Sequence, residues 1–266
     1  MSNPKYDVLI KSGPKDYQKL RHVINSIKYL NPQPNKIFLI NPDGFRPDKT
    51  DYDEKLNIIR DSDVFPGCDR NKLKYRKNWI YAMFIAMFQN VTEQDYYLDI
   101  QADNFFVNPI ELFTDGKPAF FISPQHNHHN PAYWKYSNIM FGLNNSLYNN
   151  ESFIIDFMMY NKNITRELLK DYSNFNDFFD ASCNIINKEL YPADLEIYGN
   201  WCTKHHPDMY NIKRNIQTIL NGKLYPENYS DEDIEFILQN SDFKDIASIS
   251  LHTWGDDDFI ENNGYR

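Results

Sequence analysis

The sequence predicts an α/β fold, a mixed and mainly parallel central sheet flanked by helices, on three observations. Two apolar runs, at 6–11 and 36–40, bracket a stretch in which Leu20, Val23, Ile24 and Ile27 recur at i, i+3, i+4 and i+7. That is the pattern of a strand, an amphipathic crossover helix and a second, parallel strand. A further strand begins at Asp95 and breaks at mid-chain into Gln101-Ala102-Asp103-Asn104. Ligands of open parallel sheets bind beyond the carboxyl ends of the strands. Ser12 to Lys15, Asn41 to Phe45 and Gln101 to Asn104 are therefore expected along one rim.

In chain order, the first strand closes at Ser12-Gly13-Pro14, a turn signal. The crossover helix is expected over 16–29, and the second strand ends in Asn41-Pro42-Asp43-Gly44. Residues 56–64 read as an edge strand. In 71–89 basic residues alternate with Trp79, Met83, Ile85, Met87 and Phe88, which reads as a buried helix. After Asp103, residues 108–113 are expected to form a short helical turn with Pro109 at its first position. Strands follow at 119–122 and 138–142, separated by a loop rich in His, Asn and aromatics. The chain then turns helical at 152–160, 164–172, 174–189 and 193–204. Ser230-Asp-Glu-Asp233 resembles a capping box starting a helix that carries Ile234, Ile237 and Leu238, and a last strand covers 247–251.

The length of 266 residues suits one domain, 1–266. A formal charge of -9 argues against a generic nucleic-acid binder, because phosphate-backbone binding is supplied mainly by Lys and Arg. Cys68, Cys183 and Cys202 stand apart without CxxC spacing, which suits a reduced, cytoplasmic protein and neither a disulfide framework nor a zinc knuckle. The chain opens without an apolar signal region, and its longest apolar stretch, 79–88, is about half a bilayer span. No membrane span is expected.

Tyr96, Tyr97, Leu98 and Ile100 are good strand formers. Alternate strand residues share a face, so Asp99, Gln101 and Asp103 are expected along one side. Asp103 has two readings. It is a ligand for a hard cation, which prefers one or two carboxylates plus phosphate and water, or it caps the following turn.

The segment as a whole resembles the GT-A superfamily of nucleotide-sugar glycosyltransferases. There a strand ends in an Asp-x-Asp motif, in a context like Tyr-Leu-Asp-x-Asp-x-Phe, that binds the donor diphosphate through a divalent metal. The matching residues are Gln101-Ala102-Asp103, so Gln101 replaces the first carboxylate while Asp103 keeps the more metal-directed position. The opening Asp-Val-Leu-Ile-Lys-Ser-Gly-Pro-Lys-Asp-Tyr is similar to the first donor-binding strand and loop. Residues 152–160 and 195–201 are similar to segments of poorly characterised bacterial and viral GT-A-like proteins.

The resemblance implies a GT-A-like, Rossmann-like sheet with a helical C-terminal half, residues 1–115 binding the donor and 116–266 the acceptor. It implies transfer of a sugar from a nucleotide-diphosphate donor, UDP favoured, to a glycan or other hydroxyl acceptor, with inversion. Mn²⁺ or Mg²⁺ would be held by Asp103 and His252, because a late His completes the ligand set in several GT-A families; a lone His is equally a structural residue. Ser12, Lys15, Arg76, Lys77, Asp99, Gln101, Asn138 and Trp254 are the donor-binding candidates. Asp194 and Glu196 are the candidates for the base that takes the acceptor proton. Helical residues two apart do not face the same way, so one of them is expected at the chemistry and the other in the structure, unless both simply favour a helix start. His126, His128 and His129 lack the spacing of a closed zinc site and are read as an acceptor-side loop.

Two other functions fit the same architecture. A sugar-phosphate nucleotidyltransferase typically has a Gly-rich loop after its first strand, where this chain has Ser12-Gly13-Pro14-Lys15. A non-catalytic carbohydrate-binding or assembly protein would account for Gln101.

Overall fold

The computed structural model describes residues 3–124, 131–143, 151–214, 217–221, 230–240 and 246–252. β1 (Tyr6–Lys11) leads through a 3-10 turn into α1 (Tyr17–Ser26), then to a short β2 (Leu30–Asn31) and to β3 (Ile37–Asn41). β4 (Leu56–Arg60) takes the first half of the expected edge strand, and the rest closes as a single helical turn, α2 (Asp61–Val64). α3 (Lys77–Phe88) precedes β5 (Tyr96–Gln101). Past a turn at 102–103 come β6 (Asn104–Phe106), β7 (Ile110–Glu111), β8 (Phe113–Thr114) and β9 (Lys117–Pro124).

The second half begins with α4 (Pro131–Phe141), β10 (Glu151–Ser152), β11 (Phe157–Asn161), α5 (Lys162–Glu167) and α6 (Phe175–Ile185). α7 (Asp194–His205), β12 (Asn211–Arg214), β13 (Gln217–Asn221), α8 (Asp231–Asn240) and β14 (Ser248–His252) follow.

The central sheet has the order β11-β5-β1-β3-β4. Its pairings are parallel except for β11 against β5. Residue alternation sorts the strands into two cores. Leu9, Phe38, Ile40 and Tyr97 pack on one face with residues of α3, α6 and α7. Val8, Ile10, Leu39, Leu98 and Ile100 pack on the other with residues of α1 and α8 and with Phe105, Phe106, Ile249 and Leu251. Both faces are covered, so the strands read as continuous apolar runs. Each buried Leu, Ile or Phe contributes about 1.5–3 kcal/mol relative to exposure. At the amino end of the sheet the buried Asp7 accepts from the main-chain N–H groups of Lys36, Glu93 and Gln94 and from Asn35 Nδ2, tying two loops to β1.

Three local expectations are overturned. Residues 152–160 are not helical: they contain β10 and β11, and β11 pairs with the edge of β5. The run Phe-Ile-Ile-Asp-Phe-Met-Met-Tyr is apolar almost throughout, and such a run carries no helix or strand period of its own. Residues 138–142 end α4 instead of forming a strand. Pro131 opens that helix, and its buried residues are Ala132, Tyr136 and Ser137, the first two four apart. Residues 108–113 extend instead of coiling, because Leu30 and Asn31 pair with Ile110 and Glu111 and Leu112 N–H donates to Asn31 O. Among the described residues the C-terminal half accordingly mixes the strands β9 to β14 with the helices α4 to α8. β12 and β13 are strands that local pattern did not indicate, whereas Ser230 does cap α8: its Oγ accepts from Asp233 N–H and its own N–H donates to the Asp233 carboxylate.

Candidate functional site

β1, β3 and β5 end on one rim. Lys11, the last residue of β1, is the register partner of Gln101 on one side and of Ile40 on the other. Ser12 N–H donates to Ile40 O at 2.9 Å. Ser12 is half-buried, and its Oγ has no hydrogen-bond partner among the described residues. Lys15 is exposed in the following 3-10 turn. Beyond β3 and β4 lies a cleft of about 500 Å³ lined by Asp43, Gly44, Ile58, Ile59, Arg60 and Asp63. Tyr17 stacks on Phe45 at 4.0 Å beside it, and the Tyr17 hydroxyl donates to Asp43.

Asp99 is not presented to a ligand on this rim. It is fully buried in β5, and both its oxygens accept from Lys11 Nζ. Burial pushes its carboxyl upward and the Lys11 charge opposes this. The alternation that put Asp99, Gln101 and Asp103 on one side fails at Asp103, because the strand stops at Gln101 and Asp103 sits half-buried in the turn before β6. The main-chain oxygen of Asp103 accepts from Leu251 N–H at 2.9 Å. The end of β14, with His252 as its last residue, thus runs beside the turn that carries Asp103.

Asp194 is the first residue of α7 and is buried. Burial raises its carboxyl from 3.8 to about 6. Lys11 opposes that rise, Asp99 adds to it, and the main-chain N–H groups at the helix start favour the ionised form. Tyr160 Oη donates to Asp194 Oδ2 at 3.4 Å. Tyr160 is held by its place in β11 opposite Tyr97, the two rings stacking at 5.3 Å, while the Tyr97 hydroxyl donates to the last carbonyls of α3, Ala86 O and Met87 O. Lys11, Asp99, Asp194 and Tyr160 therefore form one buried polar cluster at the end of the central sheet.

Glu196 is equally buried but engaged differently. Its oxygens accept from Ser152 Oγ, Phe153 N–H and Asn200 Nδ2, anchoring the segment between β10 and β11 to α7. Every one of these bonds favours its ionised form against the desolvation that raises its pKa.

Arg76 precedes α3 with a left-handed backbone, φ 38° and ψ 44°, and its guanidinium lies 3.9 Å over the Trp79 ring. Lys77 is exposed and donates to Asn71 at 3.0 Å. Asn138 is exposed on α4, a helix in place of the expected strand. Trp254, His126, His128 and His129 lie outside the described residues, and of His252 only the main chain is described.

Lys11, Tyr160, Tyr133 and Tyr191 were not singled out from sequence. Lys11 had a usable signal, since a charge closing an apolar strand needs a buried partner or a ligand. The tyrosines had none in a chain with 19 of them.

Among the described residues no three His, Cys, Asp or Glu side chains cluster as a metal cage. Asp103 on a turn beside the end of β14 suits a hard cation that draws its other ligands from water and substrate phosphates; it does not suit a closed structural site. No helix among the described residues is long and apolar enough to cross a membrane. The sequence matches no protein-family model and no curated protein.

Proposed function

We propose that this chain is a glycosyltransferase of GT-A type, moving a sugar from a nucleotide-diphosphate donor, UDP favoured, to a hydroxyl acceptor. The observation that carries the reading is Asp194, a buried carboxyl raised to about 6 and set beside Lys11 at the carboxyl-end rim of a mainly parallel sheet. A general base works best with its pKa near the operating pH, and perturbed buried carboxyls in such positions mark functional sites.

Asp194 takes the proton of the acceptor hydroxyl as that oxygen attacks the anomeric carbon. The bond from the anomeric carbon to the diphosphate breaks, and the nucleoside diphosphate leaves. Attack from the face opposite the leaving group inverts the anomeric centre. The rim from Ser12 to Lys15 and the cleft at Asp43 and Arg60 accommodate the donor nucleotide. Asp103, with His252 on the neighbouring strand end, would hold Mn²⁺ or Mg²⁺, whose charge would offset that of the diphosphate. Glu196 is assigned to the fold, because its bonds to Ser152, Phe153 and Asn200 occupy it.

One observation favours a second reading, a carbohydrate-binding protein without turnover: the Asp99 carboxylate is occupied by Lys11 and Gln101 is uncharged, so the expected motif offers a cation fewer acidic groups than an Asp-x-Asp pair would. A thermal-shift panel of UDP-, GDP-, dTDP- and CMP-sugars with and without Mn²⁺, followed by an assay of nucleotide release, separates them. Stabilisation with release of nucleoside diphosphate supports the transferase. If no nucleotide stabilises the protein, that reading fails.

A further inference from the structure

Next to Asp194 lies a group of aromatic rings that the proposed chemistry does not use. Tyr191, three residues before Asp194, is surrounded by Tyr75 at 5.1 Å, Trp79 at 6.0 Å and Tyr133 at 5.2 Å, centroid to centroid. These rings come from three parts of the chain far apart in sequence: the start of α3 and the segment just before it, α4, and the approach to α7. Tyr191 is buried, whereas Tyr75, Trp79 and Tyr133 each keep part of their surface open to solvent.

Arg76 stands half-exposed over Trp79, and among the described residues no carboxylate pairs with it. Its backbone is in the left-handed region, which a residue with a side chain occupies at a cost and which recurs at ligand clamps. Tyr133 links the group to the candidate base, since both Arg76 and Asp194 lie close enough to act electrostatically on its hydroxyl.

We propose that Tyr75, Trp79 and Tyr133, with the Arg76 guanidinium at their edge, form the acceptor platform, and that the acceptor is a saccharide. The proposal rests on the transferase reading and names its acceptor. Partly exposed rings offer faces on which the C–H side of a pyranose stacks. The planar fork of arginine presents several donors to neighbouring ring hydroxyls, which accept hydrogen bonds without carrying charge. A peptide acceptor would be met by main-chain donors and acceptors or an open strand edge; the platform is made of side chains on helices and their approaches.

The test uses neutral trisaccharides (maltotriose, chitotriose, mannotriose and xylotriose) and a Ser/Thr-rich peptide as probes. Binding is read by saturation-transfer NMR and calorimetry on the full chain, without donor. At least one trisaccharide is expected to bind, with affinity falling tenfold or more in Trp79→Ala and in Arg76→Gly. The second variant guards against misfolding, because glycine adopts the left-handed backbone freely, and its thermal midpoint checks that the fold is intact. Absence of trisaccharide binding, unchanged affinity in both variants, or binding of the peptide alone overturns the proposal. The nucleotide-sugar thermal shift of the unaltered protein separates the two failures. A shift without saccharide binding leaves the transferase and removes the platform; saccharide binding lost in the variants without any nucleotide shift leaves a saccharide site and removes the transferase.

Discussion

Lys11 closes β1 with its ammonium set against both carboxylate oxygens of Asp99 in the next strand, and neither side chain is open to solvent. Breaking such a pair from one side strands a charge in the core. Lys11→Met is expected to cost about 3–5 kcal/mol, with Lys11→Met/Asp99→Leu recovering most of it. In the single variant Asp99 takes up a proton, so the loss is smallest at acid pH and grows as pH rises. Urea unfolding at several pH values checks both statements, and equal losses in the single and double variants would refute the account.

Asp194 makes a prediction in two parts. Its carboxyl is raised from 3.8 to about 6, and a base must be ionised to work, so transferase rate should climb through a pH of about 6 and then level off. Stability runs the other way. A carboxyl whose folded value lies above its unfolded value stabilises the fold below the unfolded value, and that contribution is lost as pH rises through the folded one. Asp194→Asn should therefore be inactive yet more stable than the natural chain at pH 8, by up to about 3 kcal/mol for a shift of this size, with the advantage gone near pH 4. If the advantage of Asp194→Asn over the natural chain is no larger at pH 8 than at pH 4, burial does not perturb this carboxyl.

The position of Asp194 depends on a close approach further along α7. A methyl group at Gly199 would stand 2.2 Å from Phe153 Cγ, a separation no packed structure holds, so the ring or the helix must move. Gly199→Ala is expected to lose about 1–3 kcal/mol from overpacking and to lower the transfer rate by displacing the helix that carries Asp194. Gly199→Ala/Phe153→Leu should recover stability, measured by thermal unfolding beside a rate assay.

Asp103 is tested through metal rather than through fold. Asp103→Ala should abolish any extra stabilisation that Mn²⁺ gives in the presence of a UDP-sugar, read as the difference between the variant's own thermal midpoints with and without the metal, whatever the substitution does to the metal-free midpoint. Retention of that extra shift would move the cation elsewhere on the rim.

Much of the frame was legible without coordinates. The crossover helix followed from Leu20, Val23, Ile24 and Ile27, the strand ending at Gln101 from its break into polar residues, and the start of α8 from Ser230 and Asp233. These signals are local, each set by a period or a cap within one or two turns of chain. Where the local signal was weak the reading failed. Residues 157–161 became a strand because β5 had an open edge to fill, and 110–111 because Leu30 and Asn31 offered a partner.

The sequence by itself therefore determined the α/β character, the parallel opening and the rim on which Asp103 lies, because hydrophobic period and turn residues act over a few positions. Tertiary structure alone decided that Asp99 belongs to Lys11, that Glu196 belongs to Ser152 and Phe153, and that Asp194 sits with Tyr160. Those pairings join residues tens of positions apart. They are fixed by strand register and by which face of each element is buried, and neither is written in any short stretch of the chain.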